Sequence, residues 1–218
     1  MKNHSKKIFV FLLDILFPRN AIQKELDNIS TEEFLKRANK TSHADKNIIT
    51  IFDYKNKLIR EAIWSLKFRR NTRLAKIFAQ IIYDEIMEDL SDMETFENFK
   101  NPILVPMPIS AKRRRERGFN QCELIANELT NLNSEMFVLN KKSLIKIKDT
   151  PPQSRMKNKK DRLENLKDCF AVRNKELIKG KNIILLDDVT TTGTTLKEAR
   201  KVLRRHGAKK IICVTVAH

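Results

Sequence analysis

A chain of 218 residues with 41% hydrophobic content suits one domain with its own core plus a small appendage. Its 44 Lys and Arg against 27 Asp and Glu leave a net charge of +17 and a pI near 9.9. This favours an anionic partner (nucleic acid, nucleotide phosphate or acidic membrane surface), although a lysine-rich solvated surface carries the same charge. Three scattered cysteines, Cys122, Cys169 and Cys213, offer no zinc-site spacing and suggest reduced thiols in the cytoplasm.

At the N-terminus, Lys6 and Lys7 precede the apolar run IFVFLLDILF, which Asp14 interrupts. The run is too short to span a bilayer and lacks a signal-peptidase site, so a docking or amphipathic helix is expected, with peripheral membrane contact open to it. Pro18 breaks it, and AIQKEL and TEEFLKRANK follow as helical pieces. Residues 1–45 therefore read as an N-terminal helical segment and residues 46–218 as the main domain. Residues 48–52, IITIF, read as a strand, and residues 53–56 as a turn. Residues 58–68 are helical by periodicity, with Trp64 expected to face the core. Trp64, Lys67 and Phe68 also mix aromatic and basic groups as a base-stacking surface would.

After a break near Asn71, residues 74–90 repeat Leu74, Ile77, Phe78, Ile81, Ile82 and Ile86 at helical spacing. Residues 103–105 form a short strand stopped by Pro106 and Pro108. A basic turn over residues 112–117 leads through Gly118 into a helix over 121–132. Strand pieces flank Asn140 within 136–147, and a polar, basic stretch covers 148–166. The segment FAV, a strand at 183–187, a helix at 195–206 closed by Gly207, and a last strand IICVTVA complete the chain. Alternating strands and helices predict an α/β fold: a mostly parallel twisted sheet flanked by helices, with the small N-terminal helical appendage.

The most informative stretch is IILLDDVTTTGTTL, residues 183–196. An apolar strand ends in Asp187 and Asp188. A loop of Thr190, Thr191, Thr192, Gly193, Thr194 and Thr195 then opens a helix. Loop N–H groups, hydroxyls and a helix N-terminus can hold a phosphate, while carboxylates accept hydrogen bonds from ribose hydroxyls. A Thr195–Glu198 capping box would account for only two of these residues. In open sheets, ligands bind outside the strand C-termini.

A second loop, VPMPISAKRRRERGFNQ over residues 105–121, follows a different strand. Pro106 and Pro108 extend it, and Lys112, Arg113, Arg114, Arg115 and Arg117 concentrate positive charge. Across the strand ends from the aspartates, it would suit a diphosphate with its Mg²⁺. Thr150 to Ser154 with Lys157, Lys159, Lys160 and Arg162 reads as a closing loop, a nucleic-acid contact or an insertion. The four histidines lie away from these motifs, so no histidine-based centre is expected.

In the order LLDILFP, IWSLKF, VPMP…RGFNQ, TPPQSRM…DRLENLKDCF and LLDDVTTTGTT, covering about residues 10–218, the chain resembles the ComF family of phosphoribosyltransferase-like proteins. The resemblance implies a type I phosphoribosyltransferase fold and a role in DNA uptake during natural transformation, at the cytoplasmic face of the inner membrane beside the uptake machinery. It also implies that Asp187 and Asp188 bind the ribose of phosphoribosyl pyrophosphate, the only site with a catalytic role. Thr190 to Thr195 would bind its 5′-phosphate, and the loop from Pro106 to Lys112 its pyrophosphate with Mg²⁺. Arg113, Arg114, Arg117, Asn120, Lys157, Lys159 and Arg162 would contact pyrophosphate or single-stranded DNA. The family usually carries paired cysteines after LFP, whereas RNAIQKELDNIS follows Pro18 here; no zinc is expected and no side chain is assigned as a metal ligand. Two further functions stay open: nucleotide salvage on a free nucleobase, and non-catalytic single-stranded DNA binding on the same fold.

Overall fold

The structure is a computed structural model and describes residues 18–38, 40–41, 48–149 and 168–218. The expected helix before Pro18 and the residues Lys157, Lys159 and Arg162 lie outside the described residues.

Five strands form one all-parallel sheet in the order β1-β7-β6-β2-β3. They are β1 (Ile48–Phe52), β2 (Ile103–Pro106), β3 (Val138–Leu139), β6 (Ile183–Val189) and β7 (Ile211–Ala217). A separate antiparallel pair, β4 (Leu144–Lys146) with β5 (Phe170–Val172), stands apart from it. Asn140 separates β3 from β4 because its side-chain oxygen accepts from the backbone N–H of Ser143 at 3.0 Å, turning the chain.

Short helices α1 (Ala21–Leu26) and α2 (Thr31–Arg37) precede β1. Asn20 and Ser30 cap them. Leu26, Ile29 and Phe34 are buried in the same apolar cluster as the helices that follow. Those are α3 (Lys57–Arg69) and α4 (Thr72–Glu97). Asn71 caps α4, accepting from Leu74 N–H at 3.1 Å. The helix runs past Leu90 because nothing in SDMETFE stops it until Asn98 adopts a left-handed conformation, φ 52°.

Helix α5 (Ala111–Arg117) occupies the stretch expected to be a basic turn. Ser110 explains the difference: its Oγ accepts from Arg113 N–H at 3.3 Å, and Gly118 in left-handed conformation ends the helix. Helix α6 (Gln121–Leu132) and helix α7 (Thr194–Arg205) complete the layers. The N-cap of α7 is Gly193, φ 68°, with no side-chain cap, so the Thr195–Glu198 capping box does not form.

Residue parity along the central strand sorts the two layers. Ile184 and Leu186 join α1, α3, α4 and α6 on one face. Ile183 and Leu185 join Leu196, Ala199 and Leu203 of α7 with Phe170 of β5 on the other. From β2 the chain crosses through α6 to β3 at one edge, and from β6 through α7 to β7 in the opposite direction. The reversal falls between β2 and β6, where an open sheet leaves a crevice at its strand C-termini.

Candidate functional site

The two sequence motifs meet at that crevice. Pro106 pairs with Leu186 in register, and Met107 N–H donates to Leu186 O at 2.8 Å. The chain after β2 therefore starts out beside the aspartates. Asn120 fastens it there, donating through Nδ2 to Met107 O at 2.9 Å while its Oδ1 caps α6 by accepting from Cys122 N–H at 3.0 Å. Asn120 is 1% exposed. Its amide is thus engaged inside the protein and shapes the loop instead of facing a ligand. Phe119 is buried beside it.

The two carboxylates stay together at the strand's end, a ligand oxygen of each within 4.8 Å of the other, but they have different partners. Asp188 turns toward α3, where Lys67 Nζ lies 2.5 Å from its Oδ2. Burial opposes its ionisation, but Lys67 outweighs burial and holds the Asp188 carboxyl below the usual carboxylate range. The same pairing raises Lys67 against the desolvation that would lower it. Asp187 Oδ1 accepts from Cys122 Sγ at 3.5 Å and from Asp188 N–H at 2.9 Å. Burial and the neighbouring Asp188 push Asp187 up to about 8. Burial, then the two carboxylates, keep the Cys122 thiol protonated, well above its ordinary value.

One ligand atom each from Cys122, Asp187 and Asp188 lie within 4.8 Å of one another. Carboxylate oxygens are the ligands Mg²⁺ takes, commonly one or two together with ligand phosphates and water; a protonated thiol is not. A cation would also relieve the crowding that keeps Asp187 protonated. The donor set fits Mg²⁺ through the carboxylates and leaves Cys122 as a packing and hydrogen-bonding neighbour.

The threonine loop follows directly. Thr190 and Thr194 are buried, Thr191 is exposed, and Thr192 and Thr195 are half-buried. Thr190 N–H donates to Ala217 O at 2.9 Å, and the Thr192 and Thr194 hydroxyls lie 2.8 Å apart. Gly193 supplies the left-handed turn into α7.

The cations of α5 differ from one another. Arg114 forms a forked pair with Glu123, one arm at 2.9 Å, so its charge is neutralised within the protein. Lys112 is exposed, 3.9 Å from Asp149, which also accepts from Ser110 Oγ at 2.5 Å. Arg117 is half-buried and donates to Gln121 Oε1 at 3.2 Å. Burial, then Arg113, lowers the Arg117 guanidinium from its ordinary value. Trp64 does not enter the core as its spacing suggested. It is half-buried beside Phe68, ring centroids 5.3 Å apart, because Leu66, Ile63 and Ala62 take the core-facing positions of α3.

Sequence reasoning missed Lys67, Cys122 and Gln121 as site residues. IWSLKF and RGFNQ contained all three, but nothing along the chain shows that α3 and α6 converge on β6.

The fold and this crevice define a phosphoribosyltransferase-like protein: the Phosphoribosyl transferase domain family matches residues 117–218. Competence protein F of Haemophilus influenzae is 30% identical over 152 residues, 68% of this chain and 63% of that protein. Competence protein ComFC of Bacillus subtilis is 31% identical over 158 residues, 72% of this chain and 58% of that protein. DNA utilization protein YhgH of Salmonella typhimurium is 26% identical over 167 residues, 76% of this chain and 69% of that protein. The chain belongs to the ComF family, and it spans about three fifths of the length of the first two relatives. Among the described residues no helix is long and apolar enough to cross a membrane.

Proposed function

We propose that the protein binds phosphoribosyl pyrophosphate with Mg²⁺ in the crevice between β2 and β6 and acts in the handling of incoming DNA. The observation that carries the ligand is the convergence of Asp187, Asp188 and the Thr190–Thr195 loop with the chain after Pro106 at the sheet's point of reversal. Asp187 and Asp188 would meet the ribose hydroxyls. The loop N–H groups, the hydroxyls and the α7 N-terminus would hold the 5′-phosphate. Lys112, Arg113 and Arg117, which follow Pro106 on the chain that starts out beside the aspartates, would meet the pyrophosphate. Mg²⁺, when bound, neutralises pyrophosphate charge. Carboxylates beside the ribose favour the positive charge that develops there if the glycosidic bond breaks. No general base stands out among these residues, so the support is for binding ahead of turnover.

The DNA role draws on relatives named competence and DNA utilization proteins and on the +17 charge. Single-stranded DNA is the macromolecular partner of this reading, and the cytoplasmic face of the membrane its place. Calorimetry with phosphoribosyl pyrophosphate and Mg²⁺ tests the ligand: binding is expected, and Asp187→Ala with Asp188→Ala should abolish it. Native protein that does not bind refutes the reading. Product analysis with nucleobases and DNA separates a transferase, including one of nucleotide salvage, from a binding protein.

A further inference from the structure

The C-terminal end of α3 carries a cluster that shares only Arg117 with the sugar-phosphate site. Three rings and three guanidiniums interleave there. The Arg69 guanidinium lies 5.1 Å from the Trp64 ring centroid, and Trp64 stacks on Phe68 at 5.3 Å. The Arg117 guanidinium covers Phe68 at 4.9 Å, and that of Arg70 lies 5.9 Å from Phe119. Phe68 is 37% exposed: it stands two residues beyond the fully buried Leu66 and so on the outward side of α3. Arg70 holds a left-handed backbone, φ 54°, at the C-cap of α3, where glycine would be relaxed. That conformation directs the arginine onto the Phe119 ring.

The patch is joined to the acidic pair by two links. Lys67 precedes Phe68 on α3 and pairs with Asp188. Arg117, which covers Phe68, donates to Gln121, which bonds Asp188 in turn. A planar group stacked on Phe68 would lie beside the ribose side of the crevice.

We infer that Trp64 and Phe68 with Arg69, Arg70 and Arg117, backed by the buried Phe119 ring, form a stacking platform that leads single-stranded DNA to the mouth of the sugar-phosphate site. The inference rests on the DNA-handling reading and adds the place and mode of contact. Rings stack on bases without regard to sequence, and arginines beside them serve both as stacking partners and as phosphate ligands. A solvated charge run needs no exposed rings, and an acidic peptide would not select two of them. Charge complementarity favours a polyanion: Arg113 and Arg115 of α5 extend the positive surface from Arg117.

Trp64 is the single tryptophan of the chain, so its fluorescence reports on the platform alone. Titration with an oligothymidylate of about 12 nucleotides should quench it, in step with binding followed by fluorescence anisotropy of a labelled strand. Phe68→Ala should weaken strand binding about 5- to 150-fold, the range for loss of one base–aromatic stack, and Phe68→Tyr should restore it. Arg70→Gln should make the log–log salt dependence shallower by about 0.7 if its phosphate contact is lost. Calorimetric binding of phosphoribosyl pyrophosphate should persist in Phe68→Ala, which also certifies its fold. Strand binding without quenching, unchanged by Phe68→Ala and Arg70→Gln, overturns the platform and leaves the DNA reading standing. Native protein that binds no strand at low salt overturns both. Quenching by free thymine as strong as by the strand, at equal concentration, overturns the platform in favour of a nucleobase pocket.

Discussion

Removing Lys67 should unfold much of the margin that keeps this protein native. The Lys67–Asp188 pair is closed at 2.5 Å, with side chains 22% and 6% exposed. At an effective dielectric near 20, the attraction is roughly 7 kcal/mol, and the cost of desolvating two ions offsets most of it. The intact pair therefore adds little net stability. Lys67→Met is different, because it leaves the Asp188 carboxylate buried beside Asp187 without a counter-charge. Such losses cost about 3–5 kcal/mol. The residual exposure of Lys67 puts this one near 3 kcal/mol, or roughly a 1–2 M fall in urea midpoint for a typical slope.

The deficit should depend on pH in a defined sense. In the native protein Asp188 is held low by Lys67, so its contribution is present above the unfolded carboxylate pKa and fades as pH falls through the folded value. Without Lys67 both carboxyls are raised, the folded chain binds protons more tightly than the unfolded one, and stability drops as pH rises from about 4. Urea unfolding of Lys67→Met should thus show the large deficit at pH 7 and a small one near pH 4.5. Adding Asp188→Asn should restore most of it at pH 7. A deficit under about 1 kcal/mol, or a double variant no more stable than Lys67→Met, would refute the ion-pair account.

Two further outcomes follow from the same geometry. Asp187→Asn should raise stability at pH 7 by about 1–2 kcal/mol while removing ligand binding; because the folded pKa near 8 lies above the unfolded one, native stability declines as pH climbs from about 4 to 8, and the variant should lose that slope in thermal denaturation. Asn120→Ala removes a helix cap and strands Met107 O, costing about 2 kcal/mol and lowering Tm by roughly 4–8 °C; a fall of less than 2 °C would show that water replaces the buried amide.

Much of the architecture was legible because local chemistry and burial agree. IITIF, ILV, IILLDDV and IICVTVA are short apolar runs, and all four pair in parallel, as strands covered on both faces must. Asn56, Asn71 and Asn120 stand at helix starts where their side chains accept from the first free N–H groups. Trp64 went astray because periodicity ranks positions by hydrophobicity and cannot see that Arg69 and Arg117 supply ring partners at the surface. The basic stretch of α5 read as a turn because its five cations show no apolar periodicity, and the Ser110 cap and Gly118 stop are its helix signals.

The candidate site was legible in part, and the division falls along the strand. Parity shows that Ile183 and Leu185 line one face of β6 and Ile184 and Leu186 the other, but not that the two carboxylates at the strand's end stay within 4.8 Å of each other with different partners. What covers each face is decided by the crossover helices, which no local pattern reports. Helix α3 brings a lysine to Asp188 and the start of α6 brings a thiol to Asp187. One carboxyl is thereby kept charged and the other protonated on adjacent residues. A cation entering between them has an anion ready and a second one to gain by displacing a proton, so affinity for Mg²⁺ with its ligand should rise with pH through the range where Asp187 titrates.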